Sequence, residues 1–339
     1  MIGGERDGFE ADLRQILEVR DLRVAYGQRS GGVWHALNTV SFAVAAGEIL
    51  AVLGESGSGK STLAASLLRL LPGNGRITRG EILLKGADVV RMSAVQLRQV
   101  RGSGVAIVFQ EPSLALHPTI RIGMQICDVL RAHGGLNKRE RSVRARDILA
   151  KVFLNDAERI FSSYPHELSG GQQQRALIAQ AIACKPALIV ADEPTASLDS
   201  STQREILTLF LSLRDELGIA FVFITHNPAL LSGFADRVLV LYAGKVAEVG
   251  PTHAVLSSPQ HPYTQALLRC LPQVDGGGAV RRNALLPVIG GAAPSLAVLS
   301  RGCVFEPRCE DRMEICQIRD PAAAMLASRH EVACLKFPA

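Results

Sequence analysis

The sequence predicts an α/β fold built on a parallel sheet covered by helices on both faces. Continuous apolar runs at Ile49 to Leu53, Ala187 to Ala191 and Ile219 to Thr225 have the pattern of strands buried on both sides. They alternate with segments of helical periodicity, the layout of a parallel sheet and its crossovers. A third observation locates the chemistry. Gly54-Glu55-Ser56-Gly57-Ser58-Gly59-Lys60-Ser61-Thr62 follows the first run and opens a helix-like segment, Leu63 to Leu71. Its glycines let successive backbone N–H groups face an anion, and the helix N-terminus adds positive potential. In that setting Lys60 is placed to reach the β- and γ-phosphates and Ser61 to ligate Mg²⁺, so a nucleoside triphosphate site is expected.

The totals set bounds on the rest. A chain of 339 residues suggests two domains, or one large domain with an appendage. Hydrophobic content of 47% with 20% charged residues describes a globular chain with a sizeable core. A net charge of +5, spread along the sequence without a Lys/Arg block, gives nucleic-acid binding little support. Met1 to Asp12 is acidic and polar and does not read as a secretory signal. Asn283 to Ser300 is uncharged, but Pro287, Gly290, Gly291 and Pro294 argue for an extended, packed segment, not a membrane span. A soluble chain is expected.

In chain order, Ile16 to Tyr26 alternates as a strand, Gly27 to Gly32 turns, and Leu37 to Val44 is a second strand before the phosphate loop. Arg79 to Lys85 is a further short strand. Between Ser93 and Arg159 the periodicity becomes helical, over Ile120 to Leu130 and Lys138 to Phe153, interrupted by the strand Val105 to Phe109. Gly170 to Cys184 is a helix that stops before Pro186. Ser201 to Leu217 is helical and Val238 to Tyr242 is a strand. Gly276-Gly277-Gly278 is the clearest linker.

Other residues then join the phosphate loop. Asp192-Glu193 ends an apolar strand, where α/β folds place ligands. Asp192 is expected to hold the Mg²⁺ shell and Glu193 to orient or deprotonate the attacking water. Acid pairs after strands are common by chance; the phosphate loop gives this one meaning. In Leu168-Ser169-Gly170-Gly171-Gln172, Ser169 reads as a helix N-cap and the glycines free N–H groups for a phosphate. Alone it would be a Gly-softened helix start.

Taken together, Leu17 to Leu271 resembles the ATP-binding cassette of ABC transporters. Gly54 to Thr62 matches the Walker A loop, and Tyr26 resembles the aromatic that stacks on adenine. Gln110 matches the Q-loop glutamine that touches Mg²⁺ and faces the membrane partner. Ser169, Gly170, Gly171 and Gln172 match the signature motif, Leu188 to Glu193 Walker B, Asp199 the D-loop and His226 the switch histidine. The resemblance implies a RecA-like parallel-sheet core with an antiparallel β-subdomain and a helical subdomain near 111–168, within a nucleotide-binding domain at 14–272. It also implies ATP and Mg²⁺ as cofactors, hydrolysis by Glu193 and His226, and a closed dimer. There the signature and D-loop residues of one chain meet the triphosphate of the other.

Phe109 to Pro118, Pro259 to Leu268 and Gly302 to Cys309 are similar to segments of dipeptide and oligopeptide importer ATPases, with His117 as a departure, and Asn227 departs from the Asp common after the switch histidine. This implies a small Cys-rich C-terminal module at 273–339. It also implies two multi-span permeases, a second and homologous ABC ATPase (or a homodimer), an extracytoplasmic substrate-binding protein acting indirectly, and a place on the cytoplasmic face of the membrane. Nickel, glutathione or antibiotic peptides are alternative cargoes. A soluble ABC ATPase without a transport role, or a metal-sensing regulator, is the alternative class. Of the seven cysteines, Cys127, Cys184 and Cys270 read as core residues, while Cys303, Cys309, Cys316 and Cys334 cluster as C-x5-C-x6-C-x17-C. That spacing fits no common zinc ribbon or ferredoxin run. Because some members of the resembled family carry one, a [4Fe–4S] cluster is favoured, with Zn²⁺ or metal-free cysteines as alternatives.

Overall fold

In the computed structural model, residues 15–28, 31–270, 288–292, 294, 301–327 and 329–338 are described. The Gly276–Gly278 linker, the Met1–Asp12 segment and most of Asn283–Ser300 lie outside them, as do the domain limits expected at 14 and 272–273. The strands are β1 (Gln15–Gly27), β2 (Val33–Ala45), β3 (Ile49–Leu53), β4 (Gly75–Leu84), β5 (Ala87–Asp88), β6 (Val105–Val108), β7 (Leu188–Asp192), β8 (Ala220–Thr225), β9 (Arg237–Tyr242), β10 (Lys245–Pro251), β11 (Ala324–Ala327) and β12 (His330–Val332). The helices are α1 (Lys60–Leu67), α2 (Ala94–Ser103), α3 (Pro112–Ala115), α4 (Ile122–His133), α5 (Lys138–Lys151), α6 (Ala157–Ser162), α7 (Gly170–Ile182), α8 (Ser200–Leu217), α9 (Thr252–Ser257) and α10 (Pro262–Arg269).

Two sheets organise these elements. The main sheet runs β11-β12-β10-β9-β3-β8-β7-β6, and a four-stranded sheet runs β2-β1-β4-β5. Within the main sheet β9, β3, β8, β7 and β6 pair in parallel. All five residues of β3 and all six of β8 are buried, which is why these runs carry no polar alternation. One side of the sheet packs on α7 and α8, where Phe210 meets Phe221 and Phe223 edge to face. The other side packs on α1 and the antiparallel sheet, around Leu22, Leu37, Val40, Leu63 and Leu67.

α4, α5 and α6 form the helical layer, their apolar faces meeting through Ile126, Leu130, Ile148, Leu149 and Ile160. Gly123 admits the Phe161 ring, since a Cβ there would sit 2.2 Å from it. Arg146 lies over that ring, 4.0 Å from its centre. α2 escapes the apolar pattern because Leu97 is its one buried residue. It is fixed instead by the Ser93–Gln96 capping box.

The C-terminal segment extends the main sheet. β10 pairs antiparallel with β9 and then with β12, through Glu248↔Val332 and Val249↔Glu331. Unpaired, β10 would leave an open edge. Phe305 packs among Tyr242, Tyr263 and His261 and joins the main core. These contacts, invisible in the linear spacing of cysteines, tie the segment to the nucleotide-binding body. No described helix is long and apolar enough to cross a membrane.

This junction makes stability depend on pH. Buried His261 accepts the Tyr263 N–H on Nδ1 at 3.0 Å, and burial pushes its pKa down to about 4. An unfolded histidine titrates near 6.5. Between those values the unfolded chain binds a proton that folded His261 excludes. Stability is therefore intact above about pH 6.5 and falls as the pH drops toward 4, by ~3 kcal/mol at the limit. His261→Asn keeps an acceptor for the Tyr263 N–H and is expected to flatten this loss in urea melts between pH 7 and 4.5. An unaltered slope would assign the acid sensitivity to another group.

Candidate active site

The phosphate loop links β3 to α1. A side chain at Gly54 would place its Cβ 2.2 Å from the Leu241 carbonyl oxygen, so only glycine lets the loop pass β9. Gly59 caps α1 with φ near 106°, a left-handed conformation that glycine adopts without strain. The Ser58 N–H bonds the Glu55 carbonyl at 3.2 Å, and the Ser58 carbonyl accepts the Gly244 N–H at 2.8 Å. Lys60 lies inside this loop. Its Nζ donates to the Gly54 and Glu55 carbonyls, each at 2.8 Å. Burial lowers its pKa, while the charges of Glu193, Asp192 and Glu55 oppose that shift.

Strand order assembles the remaining groups. β8, β7 and β6 are neighbours, and because they run parallel their C-terminal ends deliver His226, Asp192-Glu193 and Gln110 to one edge. Glu193 Oε2 accepts the Gln110 side-chain amide at 3.3 Å and lies 3.0 Å from His226 Nδ1. Glu193 has φ near 46°, held by its N–H bond to the Ile224 carbonyl at 3.0 Å. A left-handed non-glycine residue is strained, and here the strain turns the carboxylate toward its two partners.

Asp192 is pushed up in pKa by burial, an effect opposed by its hydrogen bond with Ser61. Its Oδ1 is buried without a hydrogen-bond partner. A buried carboxylate oxygen that lacks a donor, beside a serine hydroxyl, suits a hard divalent cation. The expected Mg²⁺ ligands Ser61 and Asp192 therefore fit the ion, with Gln110 at the same edge.

These groups open onto a cleft of about 750 Å³, lined by Ser56, Gly57, Gly59, Lys60, Ser61, Thr62, Gln110, Glu193 and His226 together with the aromatic side chains of Tyr26 and Trp34. The Tyr26 hydroxyl is 3.2 Å from Thr62 Oγ1. Trp34, half exposed and paired with Tyr26 across the β1–β2 ladder, is a second aromatic wall that the sequence reading passes over. Its signal is an aromatic just after the Gly-rich turn that follows Tyr26.

Ser169, Gly170, Gly171 and Gln172 do not line this cleft. Ser169 caps α7, its hydroxyl accepting the Gln172 N–H at 3.3 Å while Gln172 Oε1 accepts the Ser169 N–H at 3.1 Å. Gly171 lies against Thr202, where a Cβ would sit 2.9 Å from that side chain. Asp199 caps α8. Hydrogen bonds, first from the Ser201 hydroxyl and then from Thr202, hold its carboxyl far below the usual range.

The cysteine expectation is corrected. Among the described residues, no group of three or more His, Cys, Asp or Glu side chains is placed to hold a metal ion. Burial, the largest cause, raises the thiols of Cys303 and Cys334, and that of Cys309 to about 11, and the neighbouring cysteines act on one another in the same direction. The expected [4Fe–4S] cluster or Zn²⁺ on Cys303, Cys309, Cys316 and Cys334 is therefore not supported. Packing of the segment on Phe305 and β10, not thiol spacing, decides where they stand.

Comparison with known proteins agrees with this geometry. Residues 37–196 match the ABC transporter family, and residues 247–316 match the oligopeptide/dipeptide transporter C-terminal region. The oligopeptide transport ATP-binding protein OppD of Salmonella typhimurium is 40% identical over 321 residues, covering 95% of this chain and 93% of its own. The dipeptide transport ATP-binding protein DppD of Escherichia coli K12 is 39% identical over 319 residues, covering 94% and 96%. Among solved structures, a dimeric bacterial ABC transporter cassette superposes with a TM-score of 0.62 at 29% identity, over 70% of this chain and 98% of its own. The cbiO1 subunit of Clostridium perfringens, part of an ABC transporter complex, gives 0.61 at 30% identity over 72% and 92%. With a phosphate loop, the strand-end carboxylate of Glu193 and His226 on one cleft, and with relatives of this identity along nearly its whole length, the chain belongs to the ABC transporter family as an ATP-hydrolysing, nucleotide-binding subunit.

Proposed function

We propose that this chain powers the import of di- or oligopeptides, hydrolysing ATP at the cytoplasmic face of a membrane to drive two multi-span permeases. The observation that carries the catalytic part is the meeting of Gln110 and His226 on the Glu193 carboxylate, beside Lys60. The cargo class is supported by the match of residues 247–316 and by the names of the relatives OppD and DppD.

In this reading the loop N–H groups from Ser56 to Thr62 cradle the phosphates, and Lys60 exchanges its two carbonyl partners for phosphate oxygens. Tyr26 and Trp34 flank the base. Ser61, Asp192 and Gln110 would hold Mg²⁺, which would supply positive charge against the charge developing on the phosphates. Glu193 orients the attacking water and accepts its proton, and His226 fixes the carboxylate that does so. Ser169 to Gln172, which do not line their own cleft, form the capped N-terminus of α7. A second cassette, homologous or identical, offers that surface to the triphosphate, as does Asp199 in its D-loop. ATP then joins the two chains, and cleavage removes the bridging charge. A substrate-binding protein on the far side of the membrane delivers the cargo and chooses it.

Two variants separate binding from turnover. Lys60→Ala is expected to weaken nucleotide binding at least about tenfold. Glu193→Gln is expected to bind ATP, lose hydrolysis by about 10²–10⁴-fold and accumulate a nucleotide-dependent dimer on size exclusion. Wild-type turnover in Glu193→Gln would assign water activation to another group. For the transport part, affinity purification from native membranes is expected to recover two permeases with a peptide-binding partner. Recovery of ribosomes without permeases would overturn it.

A further inference from the structure

Arg308 lies in the turn just before Cys309, far in sequence from the phosphate loop, yet it ends on that loop. Its Nη1 and Nη2 donate to the two carboxylate oxygens of Glu55 at 2.8 and 3.2 Å. Nη1 also reaches the Tyr242 hydroxyl at 3.2 Å, Nη2 the Ile289 carbonyl at 3.2 Å, and Nε the Gly290 carbonyl at 2.9 Å. Five N–H donors thus meet five acceptors, the full capacity of a guanidinium. The side chain is 6% exposed, so this is a built contact and not a surface ion pair.

Glu55 is held at its other polar groups too. Its N–H donates to the Tyr263 hydroxyl at 2.9 Å, and its carbonyl accepts Lys60 Nζ and the Ser58 N–H. The second residue of the phosphate loop is therefore fixed by α10, by Lys60 and by the C-terminal segment at once. Glu55 is not among the residues lining the cleft, yet its negative charge is close enough to act on Lys60, the cation meant for a multiply charged anion. Left unpaired, it would repel that anion over distances shorter than the screening length.

We propose that Arg308 is a positioning residue of the ATP site: it neutralises Glu55 and fixes the phosphate loop, so that the C-terminal segment sets the affinity for ATP. Arg308 touches no reacting atom and acts through Glu55. As a guanidinium it stays charged at every physiological pH.

The test uses the full-length chain and a fluorescent ATP analogue. Arg308→Met keeps the apolar stem and removes the charge. It is expected to raise Kd and KM for MgATP about tenfold, more at low salt than at high salt, with kcat at saturating ATP changed less than about threefold. Adding Glu55→Gln is expected to restore most of the lost affinity, because no unpaired charge remains. Arg308→Lys, which retains charge but loses the bidentate fit, is expected to fall between wild type and Arg308→Met. Wild-type affinity in Arg308→Met overturns the proposal. So does a loss of affinity that Glu55→Gln fails to relieve, since that would mean Arg308 merely anchors the C-terminal segment. Should Arg308→Met not fold, Arg308→Lys decides: wild-type Kd and salt dependence in that variant also overturn it.

Discussion

A triphosphate concentrates like charges in a small volume, and a protein that binds one must offer N–H groups and a cation without side chains in between. The path from β3 through Gly54 to the start of α1 satisfies this need. Glycine is imposed at Gly54 by the Leu241 carbonyl and at Gly59 by backbone conformation. Lys60 is buried and bonded to loop carbonyls, so its charge is held ready at a cost in solvation that Glu193 and Asp192 reduce. The parallel sheet serves this arrangement. It fixes β3 between β9 and β8 and buries all of its residues, leaving its C-terminal end as the place where polar groups gather.

The catalytic edge follows from the same register. Three neighbouring strands end together, and each contributes a polar residue at its end. Glu193 adopts a strained conformation so that Gln110 and His226 can share its carboxylate. Asp192, next to it in sequence, turns the other way, toward Ser61, and keeps an oxygen without a donor. Two adjacent carboxylates thereby acquire different surroundings, one suited to water and a proton and the other to a cation.

The C-terminal segment changes how the cassette is bounded. β12 covers the β10 edge, Phe305 enters the aromatic cluster of Tyr242 and Tyr263, and Arg308 passes from that cluster to Glu55. The segment thus shares a core with the nucleotide-binding body and reaches its phosphate loop. The match of residues 247–316 to a single transporter C-terminal region begins inside β10, which agrees with this continuity.

The sequence alone determined the nucleotide chemistry and the parallel core. Local patterns encode both: a glycine-spaced loop between an apolar strand and a helix, and runs too apolar for any half-exposed strand. Segments shaped by distant partners were harder to read. α2 buries one leucine, β10 carries Lys245 and Glu248 among its residues, and β12 is three residues long, so none shows a period. The four late cysteines suggested a metal site by proximity along the chain, yet a ligand set requires convergence in space, which spacing does not specify. Only the tertiary structure decided that Trp34 lines the cleft, that Gly171 packs against Thr202, and that Arg308 closes on Glu55 across most of the chain. Contacts between residues so far apart are set by how the layers pack, and no local pattern records them.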